Sequence, residues 1–295
     1  MIFNIVGGRG MKQMMVGLLF ALLMSAPCVA AEITETLPGG MKVTADYRAV
    51  AEGAPSVVVL HGFLVTRSFP IVQTLLAELS AGGYNVLAPT LSLGMSYRRS
   101  GLACDAVHTH THEDDLAEAA FWVGWLARRT SGPIVLVGHS FGSAQWLGYL
   151  AQGPHPRVAG LIGMSMSYVG ASGERLDPRE IELAERRLGE GDLSLGRYHL
   201  IYCHGNYTST PRGYLSYARA QRNEVLTWAR ASSLPRVAIM GGDDQRFGAD
   251  WVQDMQRVGV QVQVISGASH FFDGTFEFDL LDAVNRALID MKVVP

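Results

Sequence analysis

Three residue types, far apart along the chain, could cooperate in nucleophilic catalysis. Ser140 lies in Gly138-His139-Ser140-Phe141-Gly142, Asp243 and Asp244 lie in Gly241-Gly242-Asp243-Asp244, and His270 closes Ser266-Gly267-Ala268-Ser269-His270. A serine hydroxyl is a poor nucleophile until a base takes its proton, and the base in turn needs an orienting group. Each of the three follows an apolar run with strand character: Ile134–Val137, Arg236–Met240 and Val260–Ile265. The small residues Gly138 and Gly142 permit a tight strand-to-helix turn that pushes the serine hydroxyl outward. The Phe141 N–H then falls at a helix N-terminus, where a developing oxyanion is favoured. Spacing alone leaves either Asp243 or Asp244 as the orienting acid.

These groups need a scaffold, and the remaining chain alternates strand and helix patterns. Ser56–Leu60 is a β-branched run closed by His61-Gly62, and Asn85–Ala88 is a strand stopped by Pro89. Ile71–Ser80 has helical spacing of its apolar residues, and Phe141–Gln152 reads as the helix after the serine. Glu113–Arg129 is a helix that Thr111 can cap, with an acidic first turn and a basic last turn that suit the macrodipole. Val158–Met164 is a further strand, and helices near 250–257 and 276–291 complete the series. Continuous apolar strands, each followed by a helix, imply a doubly wound, mostly parallel α/β sheet covered on both faces.

Residues 166–233 interrupt the alternation and carry no strand signal. Asp177, Pro178 and Glu180 form an N-cap, an N1 proline and a capping-box acid for a helix reaching Leu188 and closed by Gly189. Thr210-Pro211 starts a second helical stretch ending near Ala231. The expectation is a helical lid inserted between late strands.

The N-terminus reads as an address. Lys12 supplies a positive start, Met14–Met24 is uninterrupted and apolar, and small residues then lead to a cleavage site at Cys28-Val29-Ala30 or Val29-Ala30-Ala31. Residues 1–31 are expected to be a signal peptide, with Met11 the better initiator, leaving a domain over 32–295 in the periplasm or secreted. The apolar run is too short to span a bilayer, so no stable membrane anchor is expected after cleavage. With 48% hydrophobic residues and a formal charge of −3, the chain suits neither disorder nor a nucleic-acid partner. Three cysteines are too few for a disulfide framework, but Cys104 and Cys203 could bridge in an oxidising compartment.

With these motifs in place, the stretch from about 50 to 290 resembles the α/β-hydrolase superfamily. The resemblance rests on His61-Gly62-Phe63, Gly-His-Ser-Phe-Gly, Gly-Gly-Asp-Asp and Ala-Ser-His. It implies the α/β-hydrolase fold, Ser140 as nucleophile, His270 as general base then acid, and Asp244 as orienting acid through the Gly-x-x-Asp pattern, with Asp243 the alternative. It places the oxyanion-hole donors at the backbone N–H groups of Phe63 and Phe141 and makes His61 a structural residue of the loop. A serine at the elbow implies acyl transfer to water, so a small-molecule ester, thioester or other acyl substrate is expected, with no cofactor. Trp146 and Phe271-Phe272 would suit an apolar or aromatic acyl group.

One run fits less readily. His108, His110 and His112 alternate, and in an extended segment all three rings would face one side as candidate zinc or copper ligands. Such one-strand spacing rarely closes a tetrahedral site, and histidine with acid before a helix also serves as cap and solubilising group, so no metal is assigned. The alternative function is therefore a non-catalytic α/β-hydrolase-like protein that binds a ligand or metal.

Overall fold

A computed structural model describes residues 1–2, 31–171 and 176–295. The expected export signal lies outside the described residues except for Met1, Ile2 and Ala31. Among the described residues no helix is long and apolar enough to cross a membrane.

The element order is β1 (Ala31–Thr36), β2 (Lys42–Arg48), β3 (Ser56–Leu60), α1 (Pro70–Ala81), β4 (Asn85–Thr90), α2 (His112–Ala127), β5 (Ile134–His139), α3 (Phe141–Ala151) and β6 (Val158–Met164). There follow α4 (Pro178–Gly189), β7 (Gly196–Leu200), β8 (Cys203–Ser209), α5 (Pro211–Ala218) and α6 (Arg222–Ala231). The chain then runs through β9 (Arg236–Gly241), α7 (Ala249–Arg257), β10 (Gln261–Ile265) and α8 (Phe276–Asp290).

Eight strands form one sheet in the order β1-β2-β4-β3-β5-β6-β9-β10. In that order every neighbouring pair from β4 to β10 is parallel, whereas β1 and β2 add an antiparallel edge. Side chains alternate across each strand, so β3 sends Val57 and Val59 into one apolar layer and Val58 and Leu60 into the other. The first layer also holds Leu75, Leu76, Val284 and Leu288 of α1 and α8; the second holds Trp122 and Leu147 of α2 and α3. Each fully buried Val or Leu contributes about 1.5–3 kcal/mol, so the two layers fix the sheet and hence the strand ends that bear the site.

Thr111 caps α2 reciprocally. Its Oγ1 accepts the Asp114 N–H at 3.2 Å, while Asp114 Oδ2 accepts the Thr111 N–H at 2.8 Å. The helix stops at Ala127, so the basic pair Arg128-Arg129 lies just past its last turn.

The segment before Ser56, to which the sequence assigns no element, forms β1 and β2, an antiparallel hairpin at the edge of the sheet. Three further expectations change. β4 continues through Pro89 to Thr90; its last pair with β3 is Val58 with Leu87, so the proline lies beyond that parallel ladder. The insertion is not all helical: β7 and β8 form an antiparallel hairpin within it, and the second helical stretch breaks into α5 and α6. Asp177 caps α4 through the Arg179 N–H at 2.9 Å, but Glu180 completes no capping box. It accepts instead from the His199 N–H and faces His199 Nδ1, each at 2.8 Å, and so ties α4 to β7.

Candidate active site

The turn between β5 and α3 places Ser140 at φ 54 and ψ −125, a conformation that side chains disfavour. Two glycines allow it. A Cβ on Gly138 would lie 2.7 Å from the Gly142 carbonyl carbon, and one on Gly142 would strike the His61 carbonyl. The elbow therefore seats directly on the loop after β3, and its Ser140 N–H donates to the Met164 carbonyl of β6 at 2.8 Å.

His270 follows β10 and reaches across β6 and β9 to the serine. Its Nε2 is 3.0 Å from Ser140 Oγ, and its Nδ1 is 2.6 Å from Asp244 Oδ2. Asp244 sits in the turn after β9 with a side chain only 1% exposed. Its second oxygen accepts the Arg246 backbone N–H at 3.2 Å and lies 3.4 Å from the Arg246 guanidinium. Burial pushes the Asp244 carboxyl up, but the His270 hydrogen bond and charge, aided by Arg246, outweigh it and hold the carboxyl below its ordinary range. Asp243 is exposed, and its backbone N–H bonds to Ala268. Of the two candidate acids, Asp244 is the one that meets the imidazole.

The carbonyl of His270 accepts from His139 Nε2 at 3.0 Å and from Ser165 Oγ at 2.9 Å. Burial drives His139 down to about 3, which keeps it neutral and able to donate from Nε2. His61 shapes the loop after β3. Its Nδ1 donates to the Gly62 carbonyl at 2.8 Å and its Nε2 accepts the Leu91 N–H at 3.1 Å, a pairing that needs a neutral ring. Burial, reinforced by Arg98, brings His61 to about 3.

The serine and imidazole open onto a cleft of about 340 Å3, walled by Phe63, Phe69, Tyr202, Arg246 and Phe271. A Cβ on Gly62 would lie 3.3 Å from Ser140 Cβ, so the peptide preceding Phe63 runs beside the nucleophile, and the Phe141 N–H begins α3 directly after it.

The other sequence candidates lie elsewhere. Cys104 and Cys203 are disulfide-bonded with Cα atoms 5.6 Å apart. Trp146 and Phe272 are buried in the core, and of the three aromatics only Phe271 reaches the cleft. The three alternating histidines pack among aromatic rings, with His108 against His110 at 5.8 Å and both His110 and His112 against Tyr217. His108 stacks on Tyr207 with centroids 4.5 Å apart, His110 meets the edge of Tyr217 at 5.5 Å, and His112, already in α2, stacks on Trp228 at 5.5 Å. Burial drives His110 to about 3 and His112 to about 4. Among the described residues no group of three or more His, Cys, Asp or Glu is placed to hold a metal ion. Sequence reasoning missed His139, Ser165, Arg246 and Tyr202 as residues of the site. Their places within two residues of Gly138, Met164, Asp244 and Cys203 were the signal that could have found them.

Residues 57–278 match the family described as the alpha/beta hydrolase family. Among solved structures the chain resembles Est1E from Butyrivibrio proteoclasticus, with 16% identity, a TM-score of 0.63, and coverage of 88% of this chain and 98% of that one. It also resembles the Pyrococcus furiosus esterase Pf2001, at 16% identity and TM-score 0.62, over 89% of this chain and 91% of that one. A thioesterase domain from the curacin biosynthetic pathway aligns at 16% identity and TM-score 0.57, over 89% of this chain and 99% of that one. No curated protein matches the sequence. These likenesses agree with the sheet order and the elbow in one conclusion: the chain belongs to the alpha/beta hydrolase family.

Proposed function

We propose that this chain is an exported serine hydrolase that cleaves carboxylic esters or thioesters through a covalent acyl-enzyme. The observation that carries the reading is His270 held between Ser140 Oγ at 3.0 Å and Asp244 Oδ2 at 2.6 Å. Ser140 Oγ attacks the acyl carbon while its proton passes to His270 Nε2. Negative charge gathers on the former carbonyl oxygen, facing the N–H groups of Phe63 and Phe141. Collapse breaks the bond to the alcohol or thiol, which leaves with the proton from His270. Water, deprotonated by the same nitrogen, then attacks the acyl carbon and releases the acid. Asp244 keeps the Nδ1 proton in place and stabilises the imidazolium. The solved relatives described as an esterase and a thioesterase domain favour this substrate class over amides. The signal-like run at 12–31 and the Cys104–Cys203 disulfide favour export to an oxidising compartment.

A fluorophosphonate probe tests the reading. The purified protein is expected to label at one residue and to hydrolyse p-nitrophenyl acetate, and Ser140→Ala is expected to abolish both. Folded protein that stays unlabelled at pH 8 would refute the enzyme and leave the binding-protein alternative.

A further inference from the structure

The loop after β3 is held in a strained shape. The Val65 N–H donates to the Phe63 carbonyl at 2.8 Å across Leu64, whose φ is 56, so residues 63–65 form a γ-turn of the uncommon left-handed kind. A strained turn persists only where its surroundings over-determine it. Here the Leu102 N–H donates to the Leu64 carbonyl at 2.9 Å, and buried Arg98 donates to the Leu64 and Val65 carbonyls at 3.3 and 2.8 Å. The Phe63 carbonyl itself takes a second donor, the Tyr202 hydroxyl, at 2.8 Å. The rings of Phe63 and Tyr202 also meet edge to face at 5.5 Å.

Tyr202 comes from a different part of the chain, the tip of the β7–β8 hairpin, where Ile201 turns at φ 53. The residue is 46% exposed, so burial does not hold it. The next residue, Cys203, is bonded to Cys104, and the same two segments are joined by the Thr208 N–H to the Cys104 carbonyl at 3.1 Å and the His108 N–H to the Thr208 carbonyl at 2.9 Å. The hairpin is thereby fastened to the 104–108 segment beside the loop it contacts.

We infer that Tyr202 is a positioning residue for the oxyanion hole: its hydroxyl fixes the Phe63 carbonyl, and the Cys104–Cys203 disulfide fixes Tyr202. This rests on the serine-hydrolase reading above. Phe63 offers its N–H to the oxyanion and its carbonyl to Tyr202, so one pair of backbone angles sets both. Loosening the carbonyl swings the N–H away from the developing charge. Because that charge exists only in the transition state, the loss falls on kcat and leaves substrate binding intact.

The test compares wild type, Tyr202→Phe, Cys104→Ala/Cys203→Ala and the triple variant on p-nitrophenyl acetate, whose acetyl group is too small to depend on the cleft wall. Tyr202→Phe is expected to lower kcat about tenfold with KM within about twofold, less than the hundredfold or more lost with an oxyanion donor itself. Inhibition by a trifluoromethyl ketone, whose adduct with Ser140 bears an oxyanion, is expected to weaken by the same factor. A residue that only stabilises the fold would move the melting temperature without this matched loss. The cysteine double variant is expected to repeat the effect, and the triple variant to add nothing. If the double variant does not accumulate, wild type treated with dithiothreitol replaces it; exchange leaves two protein thiols as the reagent closes to its cyclic disulfide. Wild-type kcat in Tyr202→Phe, or additive losses in the triple variant, would overturn the inference while labelling at Ser140 stands. A wild type that neither labels nor hydrolyses would overturn the serine-hydrolase reading first.

Discussion

Asp244→Asn exchanges one oxygen for an NH2 group and keeps the shape of the side chain. The surroundings decide which way the amide faces. Oδ1 of Asp244 accepts from the Arg246 backbone N–H at 3.2 Å and lies 3.4 Å from its guanidinium, whereas Oδ2 faces His270 Nδ1 at 2.6 Å. Two donors at the first position select the amide oxygen there, so the NH2 group turns towards His270. A donor facing Nδ1 requires that nitrogen to accept, which moves the ring proton to Nε2. That proton then points at Ser140 Oγ, 3.0 Å away, and the ring cannot act as its base. Losing the attraction between carboxylate and imidazolium costs about 4 kcal/mol at an effective dielectric near 20, or about three decades in rate. The wrong tautomer adds to this, and the expected fall in kcat is about 10⁴-fold, with KM within about twofold. Initial rates on p-nitrophenyl acetate at pH 8 measure it. Asp243→Asn, on an exposed side chain, is the control and is expected to stay within about twofold of wild type. An Asp244→Asn enzyme that kept a tenth of its kcat would refute the account of His270 given above.

Ser140→Gly should inactivate the protein and stabilise it. Glycine tolerates φ 54 and ψ −125, so relief of strain offsets its unfolded-state entropy and leaves a gain of about 1 kcal/mol, roughly 2–4 °C in scanning calorimetry. A lower melting temperature would show that the elbow stores no strain. Stability should also fall as pH drops below 6.5. Burial holds His61, His110 and His139 near 3 and His112 near 4. Between those values and the ordinary 6.5 the unfolded chain binds more protons than the folded one, so each ring costs up to about 1.4 kcal/mol per pH unit on acidification. Denaturant unfolding from pH 7.5 to 4.5 measures the slope. His110→Phe should reduce it, and an unchanged slope in that variant would remove His110 from the explanation.

The parts of the fold and site that were legible in the sequence are those where local pattern and tertiary demand agree. Val57–Leu60 and Val158–Met164 are buried on both faces and read as continuous apolar runs, and Gly138 and Gly142 announced the elbow because nothing larger fits. Gly-x-x-Asp preferred Asp244 to Asp243 without any knowledge of burial. Illegible stretches broke a local rule. The β7–β8 hairpin turns at Ile201, which adopts φ 53 without the Gly, Asn or Asp that marks such turns. Pro89 lies inside a strand because the ladder to β3 stops at the Val58–Leu87 pair, two residues before it. The histidine run misled because an extended segment was assumed, whereas His112 belongs to a helix and the rings pack against Tyr207, Tyr217 and Trp228. Tyr202 was invisible as a partner of Phe63 because a contact across 139 positions leaves no periodic trace.

The grip of His139 and Ser165 on the carbonyl of His270 has a consequence for how the protein meets its ligand. These two residues cap neighbouring strands, so the segment bearing the imidazole is moored to the same two tips that carry and brace the alcohol. The alignment of His270 with Ser140 is then a product of folding itself. On the serine-hydrolase reading, discrimination among ligands then falls to the walls of the opening.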